Sequence, residues 1–172
     1  MNKPIYKKWW FIALAAIVVL LIISRFLPDS TTTESPQKRI GIGEVLKTDY
    51  FDVVVNNVTI DNHISTGNQF ADIPEQPGNK FVILDVTFKN TDNESRMLTD
   101  GELIINSNGK EYKYEKSETI MLEGWGLIID NINPLTTKTT KIVYKIPSDI
   151  KGVAFYRPGR AGHDEVILLG NL

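Results

Sequence analysis

Residues 80–90, KFVILDVTFKN, alternate in a way that suits a pleated strand with one dry face. Val82, Leu84, Val86 and Phe88 fall on one side, and Asp85, Thr87 and Lys89 fall on the other. Phe81 and Ile83 make the first half apolar on both faces, so something must cover that end. Residues 138–146 repeat the pattern, with Thr140, Ile142, Tyr144 and Ile146 as the inward set against Thr139, Lys141, Val143 and Lys145. Pro147 then closes the ladder, because proline has no N–H to donate.

Between these two strands the sequence predicts a hairpin. Leu103 to Ile105 and Tyr112 to Tyr114 flank Ser107-Asn108-Gly109-Lys110, and Asn-Gly supplies the two positive φ angles of a type I′ turn. Tyr112 and Tyr114 share one face, with Glu111 and Lys113 on the other. Residues 50–60 form an earlier strand in which Phe51, Val53 and Val55 are in phase while Val58 and Ile60 are out of phase, so a bulge is expected at Asn56-Asn57. Shorter strand candidates lie at 45–46, 127–129, 153–156 and 166–169. Turn signals separate them at Asp92-Asn93-Glu94, Asn133-Pro134, Pro147-Ser148-Asp149 and Pro158-Gly159. No stretch beyond Ile40 carries a 3.6-residue period. Short punctuated strands without helical alternation predict an all-β antiparallel sandwich.

The order of these motifs resembles one family. Gly78-Asn79-Lys80 leading into the strand at 81–90, then Asn108-Gly109-Lys110-Glu111-Tyr112, then Asn133-Pro134 followed by residues 141–147, is similar to the bacterial envelope family called domain of unknown function 4352. The likeness covers about residues 41–170. It implies an immunoglobulin-like β-sandwich akin to small secreted antigens, carried behind a signal peptide, a lipid-modified Cys or a single anchor helix. The family has no assigned catalytic residues, so none is carried over. Some members bear a telomere-repeat-binding label, which the charge of this chain does nothing to support.

Attachment is set by the N-terminus. Trp9, Trp10, Phe11, Ile12, Leu14, Ile17, Val18, Val19, Leu20, Leu21, Ile22 and Ile23 stand in an unbroken apolar run. Continued to Leu27, a helix here spans roughly 28 Å, close to the hydrocarbon thickness of about 30 Å. The competing expectation is a cleaved secretory signal, but the alanines at 13, 15 and 16 come early, and the bulky Ile22 flanks any cut at Ser24. Lys3, Lys7 and Lys8 before the run favour an N-terminus held in the cytoplasm, with the body outside. The expected organisation is a basic stub at 1–8, a transmembrane helix at 9–27, a Ser/Thr/Pro linker at 28–40 and a sandwich domain at 41–172.

Charge and composition exclude several classes. Residues 1–27 hold four basic residues and no acid, which leaves 15 Lys plus Arg against 21 Asp plus Glu in the remainder. A body of that sign repels phosphate backbones, so no nucleic-acid partner is expected. There is no cysteine, so disulfides, thiolate nucleophiles, Cys-type zinc sites and lipid-modified Cys are absent.

Chemistry is thinly marked. His63 stands beside Asp61 and Asn62, and His163 beside Asp164 and Glu165, but neither shows the spacing of a metal site. Asp92-Asn93-Glu94 is expected to be a hairpin turn rather than a calcium loop, since the alternating ligands and central glycine are missing. There is no Gly-x-Ser-x-Gly elbow, and Gly41-Ile42-Gly43 lacks the rest of a phosphate cradle. Asn57-Val58-Thr59 and Asn93-Glu94-Ser95 match a glycosylation pattern that arises often by chance. No cofactor is expected.

Two segments exceed what a sandwich needs: a connection of about 19 residues from Asp61 to Asn79 that contains Phe70, and residues 121–126, where Trp125 lies between two glycines. Trp125 is expected either to plug the sandwich or, with Phe70, to contact a partner. The leading expectation is a non-enzymatic, membrane-tethered extracytoplasmic binding or structural module with an envelope or other extracellular protein as partner. The alternatives are an envelope enzyme or metal-dependent hydrolase built from loop carboxylates with His63 or His163, and a freely secreted protein.

Overall fold

In the computed structural model, residues 40–116, 118, 120–126, 131–159 and 165–172 are described, all within the unit Gln37–Leu172. The expected transmembrane helix, the linker up to residue 39, the strand candidate at 127–129 and His163 lie outside the described residues. Among the described residues there is no helix, and so none long and apolar enough to cross a membrane.

Eleven strands are formed among these residues: β1 (Ile40–Gly41), β2 (Leu46–Lys47), β3 (Phe51–Asp61), β4 (Asn79–Asn90), β5 (Arg96–Met97), β6 (Glu102–Ser107), β7 (Lys110–Glu115), β8 (Asn131–Ile132), β9 (Thr137–Pro147), β10 (Val153–Arg157) and β11 (Ile167–Asn171). They build a five-stranded sheet in the order β1-β11-β10-β6-β7, a four-stranded sheet in the order β2-β3-β4-β9, and a small ribbon of β5 with β8. The two larger sheets pack face to face over one core. Val53, Val55, Leu84, Phe88, Ile142 and Tyr144 face it from one side, and Leu103, Ile105, Ala154, Tyr156 and Ile167 from the other. Phe51 and Phe88 meet edge to face, with ring centroids 6.4 Å apart.

The alternation in β4 and β9 acts as expected: Val82, Leu84, Val86 and Phe88 are buried, as are Thr140, Ile142, Tyr144 and Ile146. The β3–β4 register slips between Val55 and Asn57, which places the bulge at Asn56 and returns Val58 to the core-facing phase opposite Leu84. The extra residue is held from outside, where the Asn56 amide donates to Asp85 Oδ1 and Thr87 Oγ1, both at 2.9 Å. At the β6–β7 turn, Asn108 and Gly109 have φ of 50° and 74°, and Ser107 pairs with Lys110.

Three expectations need correction. The sandwich is not wholly antiparallel, because β1 runs parallel to β11. These are the first and last described strands, so the body between them serves as the long crossover that a parallel pair requires. Ile40, assigned to the linker, belongs to the sandwich: it is buried and pairs with Ile167. Asp92-Asn93-Glu94 does not make a hairpin, since β4 pairs with β3 and β9 while β5 leaves to pair with β8. Buried Asn90 redirects the chain. Its amide donates to Glu94 O and Ile132 O, both at 2.8 Å, and its Oδ1 accepts from Asp92 N at 2.9 Å. These bonds satisfy a buried side chain that would otherwise be costly to desolvate.

Candidate functional site

The cover that Phe81 and Ile83 demand is supplied by the two long segments. Residues 62–78 fold over the outer face of β4, and Ile64 and Ile73 bridge each other through N–H···O bonds of 2.8 and 3.0 Å. Residues 120–126 fold beside them. Ile64, Phe81, Ile120, Trp125 and Val143 form a second apolar cluster, with Ala71, Ile73, Ile83 and Leu122 around it. Val143, placed on the outward side by its period, is thereby buried as well.

The glycines around Trp125 explain its direction. Gly124 and Gly126 take φ of 81° and 72°, conformations that residues with a Cβ rarely adopt, and the two reversals turn the indole inward. The backbone is pinned to β9, with Lys141 N donating to Gly124 O at 2.9 Å and Gly126 N donating to Lys141 O at 2.6 Å. Thr140 Oγ1 also donates to Gly126 O at 2.8 Å, and Lys141 Nζ sits 4.7 Å from the indole centroid. Trp125 is 8% exposed and acts as a plug. Of the two residues singled out as partner contacts, it is the one the fold consumes.

Phe70 differs: it is 90% exposed, on a turn that is nonetheless tied down. Asp72 Oδ1 accepts from Thr66 N at 2.6 Å and from Thr66 Oγ1 at 2.9 Å, while Asn68 Oδ1 accepts from Phe70 N at 3.1 Å. Met121, 81% exposed, lines the same open cleft of about 530 Å³ as Phe70, together with Ala71, Ile120 and Leu122. Asp72 and Glu118 stand at its rim, and Glu118 is engaged by Lys145 at 3.1 Å. The result is a surface of mixed polarity, with exposed apolar side chains beside two carboxylates, backed by a buried cluster. Such a surface can bind a partner's side chains.

Met121 heads the 121–126 segment, but between Ile120 and Leu122 its residue type does not say which of the three apolar side chains is left in water. Equally hidden was Asp100, whose carbonyl accepts from the hydroxyls of Tyr144 at 3.1 Å and Tyr156 at 2.9 Å. Burial pushes both phenols well above their ordinary range, so they stay protonated donors. The Asp100 carboxylate pairs with Lys116 at 2.8 Å in an open cleft that Glu102 and Arg157, themselves paired at 3.2 Å, also line. Opposite charges there answer one another.

The histidine expectations fare differently. His63 Nδ1 lies 3.0 Å from Asp61 Oδ1 on an exposed turn. The His63 backbone N–H above all, with the Asn62 N–H and the imidazole, holds the Asp61 carboxyl below its usual range. Among the described residues no group of three or more His, Cys, Asp or Glu side chains converges to hold a metal ion.

A two-sheet, all-β body with a loop-built apolar cap defines the class: a β-sandwich module. The sequence profile of the family described as domain of unknown function (DUF4352) matches residues 40–159, and the chain belongs to that family. Two crystal structures resemble the fold. An uncharacterized β-sandwich protein from Clostridium difficile has a TM-score of 0.54 and 18% sequence identity, with 78% of this chain and 95% of that one covered. A conserved hypothetical protein from Bacillus anthracis has a TM-score of 0.51 and 16% identity, with 74% and 94% covered. At these identities the likeness shows the fold alone. No curated protein matches the chain.

Proposed function

We propose that the protein is a non-catalytic binding module of the bacterial cell envelope, tethered by its N-terminal apolar run with the sandwich on the outer side of the membrane, and that it contacts a protein partner through the Phe70–Met121 surface. The observation that carries the binding assignment is Phe70, held 90% exposed by side-chain-to-backbone bonds of its own turn. An aromatic ring kept in water on an ordered turn, beside an equally exposed methionine, is the kind of rigid anchor that recognition surfaces use. The tether rests on residues 9–27 and the lysines before them. The finer subclass, an immunoglobulin-like sandwich, is supported by the strand order β11-β10-β6-β7, which corresponds to the G-F-C-C′ sheet of that fold.

Two measurements test the proposal separately. Protease added to spheroplasts should remove the sandwich and leave a membrane-embedded stub; full protection overturns the orientation. A photo-crosslinking benzophenone in place of Phe70, activated on intact cells, should give discrete adducts with an envelope protein that vanish when Met121→Asp is added. Adducts unaffected by that change, or no adducts, overturn the surface.

A further inference from the structure

Among the described residues, two of the four edges of the large sheets, β1 and β2, are two residues long, and a third, β9, is engaged at Lys141 by the parallel bridge to Trp125. The fourth is β7, a regular six-residue edge strand, exposed at Lys110, Glu111, Tyr112, Lys113 and Glu115. Its side chains also differ from those of a plain protective edge, because their charges alternate in sign along KEYKYE.

Which backbone groups face outward follows from the register. A two-residue hairpin closes on a pair that exchanges both hydrogen bonds, here Ser107 with Lys110, so Tyr112 and Tyr114 also bond inward to β6. On the far side of β6 the Asn106 carbonyl points toward β10, where a Cβ on Gly152 would meet it at 2.1 Å. Both observations leave the N–H and C=O of Glu111, Lys113 and Glu115 directed away from the sheet. An antiparallel partner must therefore set odd-numbered residues opposite odd-numbered ones.

For two copies of this strand, charge then selects the register. Pairing Glu111 with Glu111, or Lys113 with Lys113, puts like charges opposite each other. Centring the pair on Tyr112 puts Glu111 opposite Lys113 of the second copy and Lys113 opposite its Glu111, both as hydrogen-bonded pairs. Tyr112, 40% exposed in the single chain, then meets Tyr112 of the second copy across a non-hydrogen-bonded site, where aromatic pairs pack closely.

We infer that β7 is a homodimerisation edge: two copies join by antiparallel addition of β7 to β7 about a two-fold axis at Tyr112, extending the β1-β11-β10-β6-β7 sheet across the pair. A two-fold contact of this kind is self-complementary, as isologous interfaces must be. This surface shares no residue with the Phe70 cap and depends on neither the tether nor its orientation.

The chain contains no cysteine, so a single introduced thiol reports its own neighbours. Full-length protein purified in detergent and carrying Tyr112→Cys should form a disulfide-linked dimer on mild oxidation, because Cα atoms at such a site lie about 4.5 Å apart. Lys110→Cys, offset along the strand by about 14 Å from its own copy, should not. In the Tyr112→Cys background, Glu111→Lys should lower the crosslinking yield, and in the otherwise native chain it should weaken association measured by sedimentation roughly ten-fold. The exchange Glu111→Lys with Lys113→Glu should restore both. Crosslinking at Tyr112→Cys no greater than at Lys110→Cys, or no rescue by the double exchange, overturns the inference, as does a native chain that sediments only as a monomer.

Discussion

The inner and outer faces of the β3-β4-β9 sheet are both apolar over part of their length, but they are dried by different means. The inner face meets a second sheet, so that Leu84 and Ile142 share a core with residues of β6 and β10, which pair with each other along the length of β10. The outer face is dry only at one end of β4, around Phe81 and Val143, where two loops carry Ile64, Ile120 and Trp125 over it. Toward the other end it turns polar, with Asp85 and Thr87 holding Asn56 and Thr87 bonding Thr139 at 2.9 Å. A loop cover leaves its own far side in water, which is why Phe70 and Met121 can be presented there while nothing comparable projects from the inner core. The teaching of this contrast is that the inner face carries the main core, while the cap over the outer face leaves the aromatic surface on which the proposed recognition rests.

Substitutions can break that division. Leu84→Ala removes a fully buried side chain between the sheets and should cost about 3 kcal/mol, seen as a lower denaturant midpoint with an unchanged slope. Trp125→Ala should cost less, about 2 kcal/mol, because the cap can open without the sandwich. Hydrogen exchange should then speed at the Gly126 and Lys141 amides while those of β6 and β10 keep their protection. Equal losses from the two substitutions would make cap and core one cooperative unit and end the comparison.

A third contact lies on neither face. The Arg96 guanidinium bonds the Asp92 carboxylate and holds its pKa below the ordinary range, and the same guanidinium stacks 4.3 Å from the Tyr50 ring centroid. A depressed carboxyl pKa stabilises the fold above the unfolded value of about 4, and that contribution is lost as pH falls through the folded pKa. Asp92→Asn should therefore lower the denaturant midpoint at pH 7 and leave it nearly unchanged below the folded pKa, which flattens part of the acid limb of the stability profile. The smallest effect is expected from Phe70→Ser. It should change stability by less than about 0.5 kcal/mol yet abolish binding at the proposed partner surface, and a large loss of stability would assign Phe70 to the fold instead.

Much of the fold was legible because strand alternation is a local property. The inward residues of β4 and β9, the bulge at Asn56 and the Asn108-Gly109 turn all follow from neighbours a few positions apart. The double apolarity of Phe81 and Ile83 even announced that a cover exists. What covers them was not legible, since Ile64 and Trp125 come from opposite sides of the chain and no short-range pattern links them. For the same reason Phe70 and Trp125, alike as lone aromatics in long loops, could not be told apart by residue type.

The amino-acid sequence by itself determined the long strands, their dry faces and the Asn108-Gly109 turn, because these depend on side-chain period and on backbone preferences within a few residues. Only the tertiary structure decided which aromatic is buried and which is offered to solvent, that β1 runs parallel along β11, and that β7 is the edge of its sheet among the described residues. Those outcomes depend on which segments arrive at the same place, and that is settled by packing across tens of residues of chain rather than by any stretch of it alone.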